Sequence, residues 1–332
     1  MKKTYIGLII IGILFGSSII AYILFLGNFF NGNDDIQPPS SSGPIIINHT
    51  CAHLEDLKSI PDEWILEAKK TLNIAYGHTS HGSQLTSGGM ANMEAFMARG
   101  DFYSYGSDGG SNDAKLEFYD FSGGFGGSLT TTTANDLGNP NDNAWRQATE
   151  EYLDNPANPG TSVVIWSWCQ INGHPISTYL SNMEALISAY ASGGSKGRTN
   201  ETKVTFVFMT GHVNGDGDGG TTYDQNQEIR DHCTQYNRSL YDFADIEKYD
   251  PDDNYFGDKN INDDCSYTGG NWATEWQNTH VEMTSPTDFA NTEPNGGEWY
   301  QCSPAHTQPL NGNLKAYAAW YLFARLAGWN GN

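Results

Sequence analysis

Four segments carry residue types that can do chemistry. Residues 77–84 read GHTSHGSQ, 169–175 read CQINGHP, 211–220 read GHVNGDGDGG and 303–306 read SPAH. Ser80, on an expected strand-to-helix turn, is a candidate nucleophile, because a helix N-terminus favours negative charge on its oxygen. Neighbouring backbone N–H groups can hold an oxyanion, and Gly82 allows the backbone to approach closely. Asn214 or His212 is the candidate side-chain donor to that oxyanion. His306 is the candidate base, since imidazole titrates in the range needed to take a proton from a serine. Each segment also has a plainer reading. Ser and Thr in the first loop can cap helix N–H groups, the glycines after Asn214 can form a turn, and His306 can be a surface histidine beside Cys302.

The same segments can be weighed as metal ligands. Asn214, Asp216, Asp218 and Gly219 copy the first half of an EF-hand loop, but the twelfth position is Gln225 where that loop needs a bidentate Glu. A full EF-hand is excluded; a Ca2+ loop of another kind, using Asp216 and Asp218, stays a candidate. Asp250, Asp252, Asp253, Asp263 and Asp264 form a second acidic stretch. His78 and His81 are spaced H-x-x-H, with no third zinc ligand legible in the sequence. None of these segments requires a cofactor.

Such groups act only if a scaffold brings them together. Ser59, Pro61 and Asp62 read as the start of a helix running to about Lys70, with Ser59 as its cap. Apolar runs predict strands over 72–76, 162–168, 204–210 and 240–243, and helices are expected over 142–153, 176–190 and 224–238. Leu314, Tyr317, Ala318, Tyr321, Leu322 and Arg325 mark one face of a terminal helix that stops near Gly328. Alternating strands and helices with continuous apolar strands imply an α/β fold: three layers, α/β/α, around a mostly parallel sheet. Residues 100–140 and 250–300, rich in Gly, Asn, Asp and Thr, read as loop insertions. In such sheets ligands bind beyond the carboxyl ends of the strands, so the loops after Tyr76, Trp168 and Thr210 should share one edge.

Taken in order, these blocks resemble the SGNH/GDSL hydrolase superfamily over roughly residues 70–328. HTSHG resembles its first block, with Ser80 at the serine position. MTGHVNG resembles the asparagine block, with Asn214 as the asparagine. SPAHTQPLNGNLKAYAAWYLFARLAGW resembles the last block and helix, with His306 as the histidine, and IRDHCTQYNRSLYDFADIE the penultimate helix and strand. The second-block glycine falls within SGGFGG, where Gly124 is taken among four. The resemblance implies a serine ester hydrolase, plausibly acting on acyl or acetyl esters of small molecules or polysaccharides. Two features depart from it: there is no G-D-S, and Ser303 stands where the acid of D-x-x-H belongs. An imidazole without a carboxylate loses control of its tautomer and support for its charged form. Asp216, Asp242 or a backbone carbonyl is then needed as substitute. The same departures favour a second class of function, a catalytically silent surface protein that binds glycans or a partner on this fold.

Composition narrows the setting. The 332 residues hold 39 acidic and 17 basic side chains, a net charge of −22, which excludes the basic footprint of a nucleic-acid binder. Nine Trp and 18 Tyr, with 38% hydrophobic residues, exclude a disordered chain. After Lys2 and Lys3 no charge occurs until Asp34, and the run between is apolar and long enough to span a bilayer. Residues 1–31 therefore read as an uncleaved membrane anchor, 32–47 as a Pro/Ser-rich linker and 48–332 as an extracellular domain, oriented by the two lysines. A cleaved signal peptide and a secreted chain is the alternative. Sequons at Asn48, Asn200 and Asn237 fit export. Of five cysteines, Cys51, Cys233, Cys265 and Cys302 are expected to form two disulfides, and Cys169 to remain a reduced core thiol. An anchored chain should stay in the membrane fraction through a wash at ~1 M salt, where screening reaches only about 3 Å but a hydrophobic span is untouched. Release by that wash, or a mature N-terminus beyond residue 27, would refute the anchor.

Overall fold

The computed structural model describes residues 43–97, 99–107, 114–158, 160–285 and 297–332. The expected anchor over 1–31, and the linker up to residue 42, lie outside them. Among the described residues no helix is long and apolar enough to cross a membrane.

Seven strands form one sheet: β1 (Ile46–Ile47), β2 (Asn73–His78), β3 (Tyr105–Gly106), β4 (Leu116–Ser122), β5 (Val163–Trp166), β6 (Thr205–Met209) and β7 (Ser239–Tyr241). Their order is β1-β7-β6-β5-β2-β4-β3, and every pairing is parallel. Without the two-residue strands β1 and β3, the remaining five read 2-1-3-4-5 in chain order. The order reverses beside β2, between it and β5, and that is where a doubly wound sheet opens a crevice.

The strands are apolar throughout because both faces are covered. Ile74, Tyr76, Val163, Ile165, Val207 and Met209 point to one face, packed with α2 (Asp62–Thr71) and the terminal helix α9 (Pro309–Ala327). Ala75, Val164, Trp166, Phe206 and Phe208 point to the other, against α4 (Ala144–Asp154), α5 (Ile176–Tyr190) and α6 (Thr221–Tyr236). The α/β class and the central parallel sheet flanked by helices are thus as expected. Gly77 on β2 is required by a close approach: a Cβ there would fall 2.5 Å from the Trp166 ring on the paired strand.

Several local expectations are corrected. Ser59 caps nothing; it ends a separate helix α1 (Leu54–Ser59) and its hydroxyl donates to Asp56 O, while Pro61 precedes α2. Ile46 and Ile47, assigned to the linker, pair with Leu240 and Tyr241 of β7. The supposed insertion over 100–140 holds β4, whose LEFYDFS pattern alternates because its far end is only partly covered. Phe243 is not in β7 but opens the short helix α7 (Phe243–Ile246). The described parts of the 250–300 segment, 250–285 and 297–300, include α8 (Trp272–Gln277) and the short strand Trp299–Tyr300, which pack on α9. The terminal helix is therefore buried nearly all round rather than on one face, and it ends at Gly328 in the left-handed conformation as expected.

All five cysteines are free, which corrects the two expected disulfides. Cys233 packs on one face of the sheet, whereas Cys51, Cys265 and Cys302 pack on the other. The Cys302 thiol is instead tied to Pro309 O at 3.2 Å and Asn313 Nδ2 at 3.3 Å.

One buried ion pair joins the terminal helix to the strand ends. Lys315 Nζ lies 2.7 Å from Glu247 Oε1, and both side chains are at most 1% exposed. Glu247 Oε2 accepts from Val213 N at 2.8 Å, and Lys315 also donates to Gln84 Oε1. The Gln84 amide in turn donates to Ala305 O at 2.5 Å. Lys315→Met would leave the buried Glu247 without a counter-ion, and should cost about 3–5 kcal/mol in denaturant unfolding. The double variant Lys315→Met, Glu247→Gln should recover a large part of that loss; a single variant with wild-type stability would refute the role given to the pair.

Candidate active site

The chain leaves β2 and β5 side by side. Ser167 N donates to Gly77 O at 3.0 Å, so the next residues of both strands enter the crevice at one level. After β2, a short 3-10 turn over Ser80–Gln84 brings Ser80 and His81 back over the strand end. Gly82 is needed there, since a side chain would strike Ser167 Oγ and His78 Cβ. After β5 comes Cys169, partly exposed, with its thiol 3.5 Å from Ser80 Oγ and 3.9 Å from His81 Nδ1. The other ring nitrogen, His81 Nε2, lies 2.9 Å from Asp263 Oδ2. A carboxylate only accepts, so Nε2 carries a proton, and Nδ1 is the atom that exchanges one with the thiol. Thiol, imidazole and carboxylate are thereby linked in series.

The other two histidines flank this imidazole. His212 stacks on His81 with ring centroids 3.9 Å apart, and His306 stacks at 4.5 Å. His212 is buried, with Nδ1 2.6 Å from Val213 O. His306 is exposed on a residue of positive φ, at the rim of an open depression it shares with Asn262, Asp263, Asp264, Thr307 and Gln308.

The electrostatics follow from this packing. Burial disfavours the charged form of His81, but its hydrogen bonds to Asp263 and Cys169 outweigh that and raise its pKa to about 9. The hydrogen bond from His81 lowers the Cys169 pKa below the ordinary thiol value against the opposing effect of burial. His212 is held lower than usual by burial, so it stacks as a neutral ring. The other four thiols are shifted the opposite way by burial, Cys265 and Cys302 up to about 12.

The residues singled out in the sequence divide into two groups. Ser80, His81, His212 and His306 come together. Among the described residues no hydrogen bond joins Ser80 to His306; the neighbour of the serine is Cys169, and the neighbour of His306 is His81. Asn214 forms an antiparallel bridge with Asn262, and Gly215 N donates to Ile261 O at 2.9 Å, so this loop holds the segment carrying Asp263. Asn214 Oδ1 is buried with no partner. His78 is fully buried beneath the turn, between Thr79 O at 2.9 Å and Asp120 Oδ1 at 2.5 Å. Gly124 belongs to a turn after β4, where its N–H is engaged by Phe121 O at 2.8 Å. Ser303 is exposed. Asp216 and Asp218 do not converge on an ion: Asp216 Oδ2 accepts from Thr222 N at the start of α6, and Asp218 pairs with Lys248 at 2.7 Å. Asp242, weighed as a substitute acid, is paired with Arg230.

Two site residues escaped the sequence reading. Cys169 was assigned to the core, although it follows the apolar run of β5 at the same strand edge that selected the first loop. Asp263 appeared only within an acidic stretch, 182 residues from its histidine. No family model, curated protein or solved structure matches the chain.

The thiolate–imidazolium pair should exist between the lowered Cys169 pKa and about pH 9, where His81 gives up its proton. Below the first value the thiolate is protonated and stops reacting. Iodoacetamide should therefore modify one thiol per native chain in metal-free buffer, with a pH midpoint below that of a free cysteine. His81→Gln should raise the midpoint, since the largest influence that lowers the thiol pKa against burial is then lost. Labelling of several thiols, or an unmoved midpoint, would refute this arrangement.

Proposed function

We propose that the chain is an ester hydrolase in which Cys169 is the nucleophile, His81 the general base and Asp263 the group that orients it. One observation carries this reading: the series Cys169 Sγ–His81 Nδ1 and His81 Nε2–Asp263 Oδ2, at 3.9 and 2.9 Å, on the carboxyl edge of the sheet beside its switch point. Free enzymes often hold such contacts long and tighten them on substrate. In the proposed reaction the Cys169 thiolate, its proton held on His81 Nδ1, attacks the acyl carbon. The tetrahedral intermediate collapses with that proton going to the leaving alcohol, and the thioester forms. Water then loses a proton to His81, attacks the thioester and frees the acid and the thiol. Asp263 stabilises the imidazolium in both halves, the role that the resemblance left vacant at Ser303.

The class expected from the SGNH-like blocks is kept, and so is a related scaffold: the 2-1-3-4-5 strand order is that of flavodoxin-like sheets. The nucleophile moves from Ser80 to Cys169. The open depression beside His306 is lined by Asn262, Asp263, Asp264, Thr307 and Gln308, which suits a polar ester such as an acylated carbohydrate better than a lipid. The large negative charge disfavours anionic substrates. An extracellular, membrane-tethered location rests on residues 1–31 and is part of the proposal.

Ser80 is the second candidate nucleophile, because its hydroxyl lies 3.5 Å from the thiol beside the same stacked imidazoles. Replacement separates the two. Cys169→Ala should reduce p-nitrophenyl acetate turnover by about 10^3-fold or more, the scale for loss of a triad nucleophile, while Ser80→Ala retains most of it. Loss in Ser80→Ala with labelling of Ser80 by a fluorophosphonate would transfer the role to serine. Well-folded protein with no turnover and no labelling by either reagent would favour the glycan- or partner-binding alternative.

A further inference from the structure

His81, Asp263 and His306 each offer one ligand atom, and the three atoms lie within 4.8 Å of one another. We propose that they form a site for a transition divalent cation of the zinc class, and that the ion switches the thiol off. The switch rests on the thiol reading above; the site itself does not.

The donor set is two imidazole nitrogens and one carboxylate oxygen, the mixture that suits Zn2+ and leaves a fourth position for water. Zinc bonds of about 2.0–2.1 Å at tetrahedral angles put ligand atoms about 3.4 Å apart. His81 Nε2 and Asp263 Oδ2, 2.9 Å apart, therefore have to part by a few tenths of an ångström as the ion replaces the proton between them, and His306 has to close on the pair. The His306 side chain supplies that movement: its backbone is anchored through Ala305 O, but the ring is exposed and among the described residues makes a stacking contact with His81 and no hydrogen bond. The other two ligands are fixed. His81 is held in its turn between two strand ends, and the Asp263 segment is bridged to the Asn214 loop. The open depression on the His306 side gives an ion its path from solvent. A net charge of −22 raises the local concentration of cations.

The consequence for the thiol is a matter of tautomers. Free, His81 exchanges one proton between Nδ1 and Cys169 and carries a second on Nε2 against Asp263. An ion on Nε2 displaces that proton to solvent, and the neutral imidazole then carries its hydrogen on Nδ1. With the ion on Nε2 and its only hydrogen on Nδ1, the ring has no nitrogen left to take up the thiol proton. Asp263 is taken by the ion at the same time. Cation and catalysis thus compete for the same two atoms.

The test uses the full-length chain in detergent, stripped with a chelator, with Co2+ as spectroscopic probe and Zn2+ as competitor. One Co2+ per chain is expected, with a visible d–d spectrum of low coordination number and no thiolate charge-transfer band, because Cys169 is not a ligand. His306→Ala and Asp263→Asn should each weaken binding by about tenfold or more, a change of the size seen when metal-site groups are lost. Cys169→Ser should bind as the wild type does. Saturating Zn2+ should slow iodoacetamide alkylation of Cys169 by tenfold or more in the wild type, reversed by chelator, and should not protect His306→Ala at the same concentration. No binding, equal binding by His306→Ala, a thiolate band, or bound metal with an unchanged alkylation rate would each overturn the proposal. Absent ester turnover alongside Zn2+-dependent protection would count against the hydrolase reading alone.

Discussion

The Lys315–Glu247 ion pair is the interaction on which the site's geometry depends. Two opposite charges with no access to water attract strongly, but their desolvation is offset only when every remaining polar atom is paired. Here that condition is met by atoms from separate segments. Glu247 takes the N–H of Val213, next to His212; Lys315 takes Gln84, at the end of the His81 turn; Gln84 holds the carbonyl of Ala305, next to His306. The three histidine-bearing segments are therefore each one residue or one turn away from a single buried salt link. Their rings stack because their backbones are fixed to a common point.

Strand order does the rest. After β2 the chain turns toward the face packed by Leu85, Met90 and Met93; after β5 it turns toward the other face, with Ile171 and Ile176. Two neighbouring strands whose exits part in this way leave a gap between them at their carboxyl ends. Backbone N–H groups and side chains at the lip of that gap are not consumed by the sheet. That is how Ser80, His81 and Cys169, 89 residues apart at the extremes, come within hydrogen-bonding reach.

The sequence exposes what is periodic or local. The runs around Val163–Trp166 and Thr205–Met209 are apolar because they are covered on both faces, and any strand so covered has to look that way. Short β1 and half-covered β4 carry no such mark, so one was taken for linker and the other for insertion. At the site, Ser80, His81, His212 and His306 were legible because chemistry-bearing residues stood just past predicted strands or just before a helix. Cys169 satisfied the same rule, but its proximity to a core strand made a buried thiol the simpler assignment. Asp263 had no local signal at all. Its pairing with His81 exists only once the bridge between Asn214 and Asn262 is made, and no spacing in the chain encodes that bridge. The disulfides failed for a similar reason: an even set of cysteines suggests pairing, but the sheet separates Cys233 from the rest.

The burial of α9 has a consequence for how the domain comes into being. From Leu310 to Trp320 this helix is enclosed on all sides, and it supplies the lysine of the central salt link as well as Leu314, Tyr317 and Trp320 to the larger core. Until those residues are added, that face of the sheet has only part of its cover, from α2 and the segment around Met90, and Glu247 has no counter-ion. A chain that lacks α9 therefore cannot close its larger core, and completion of the domain is tied to the arrival of that one helix.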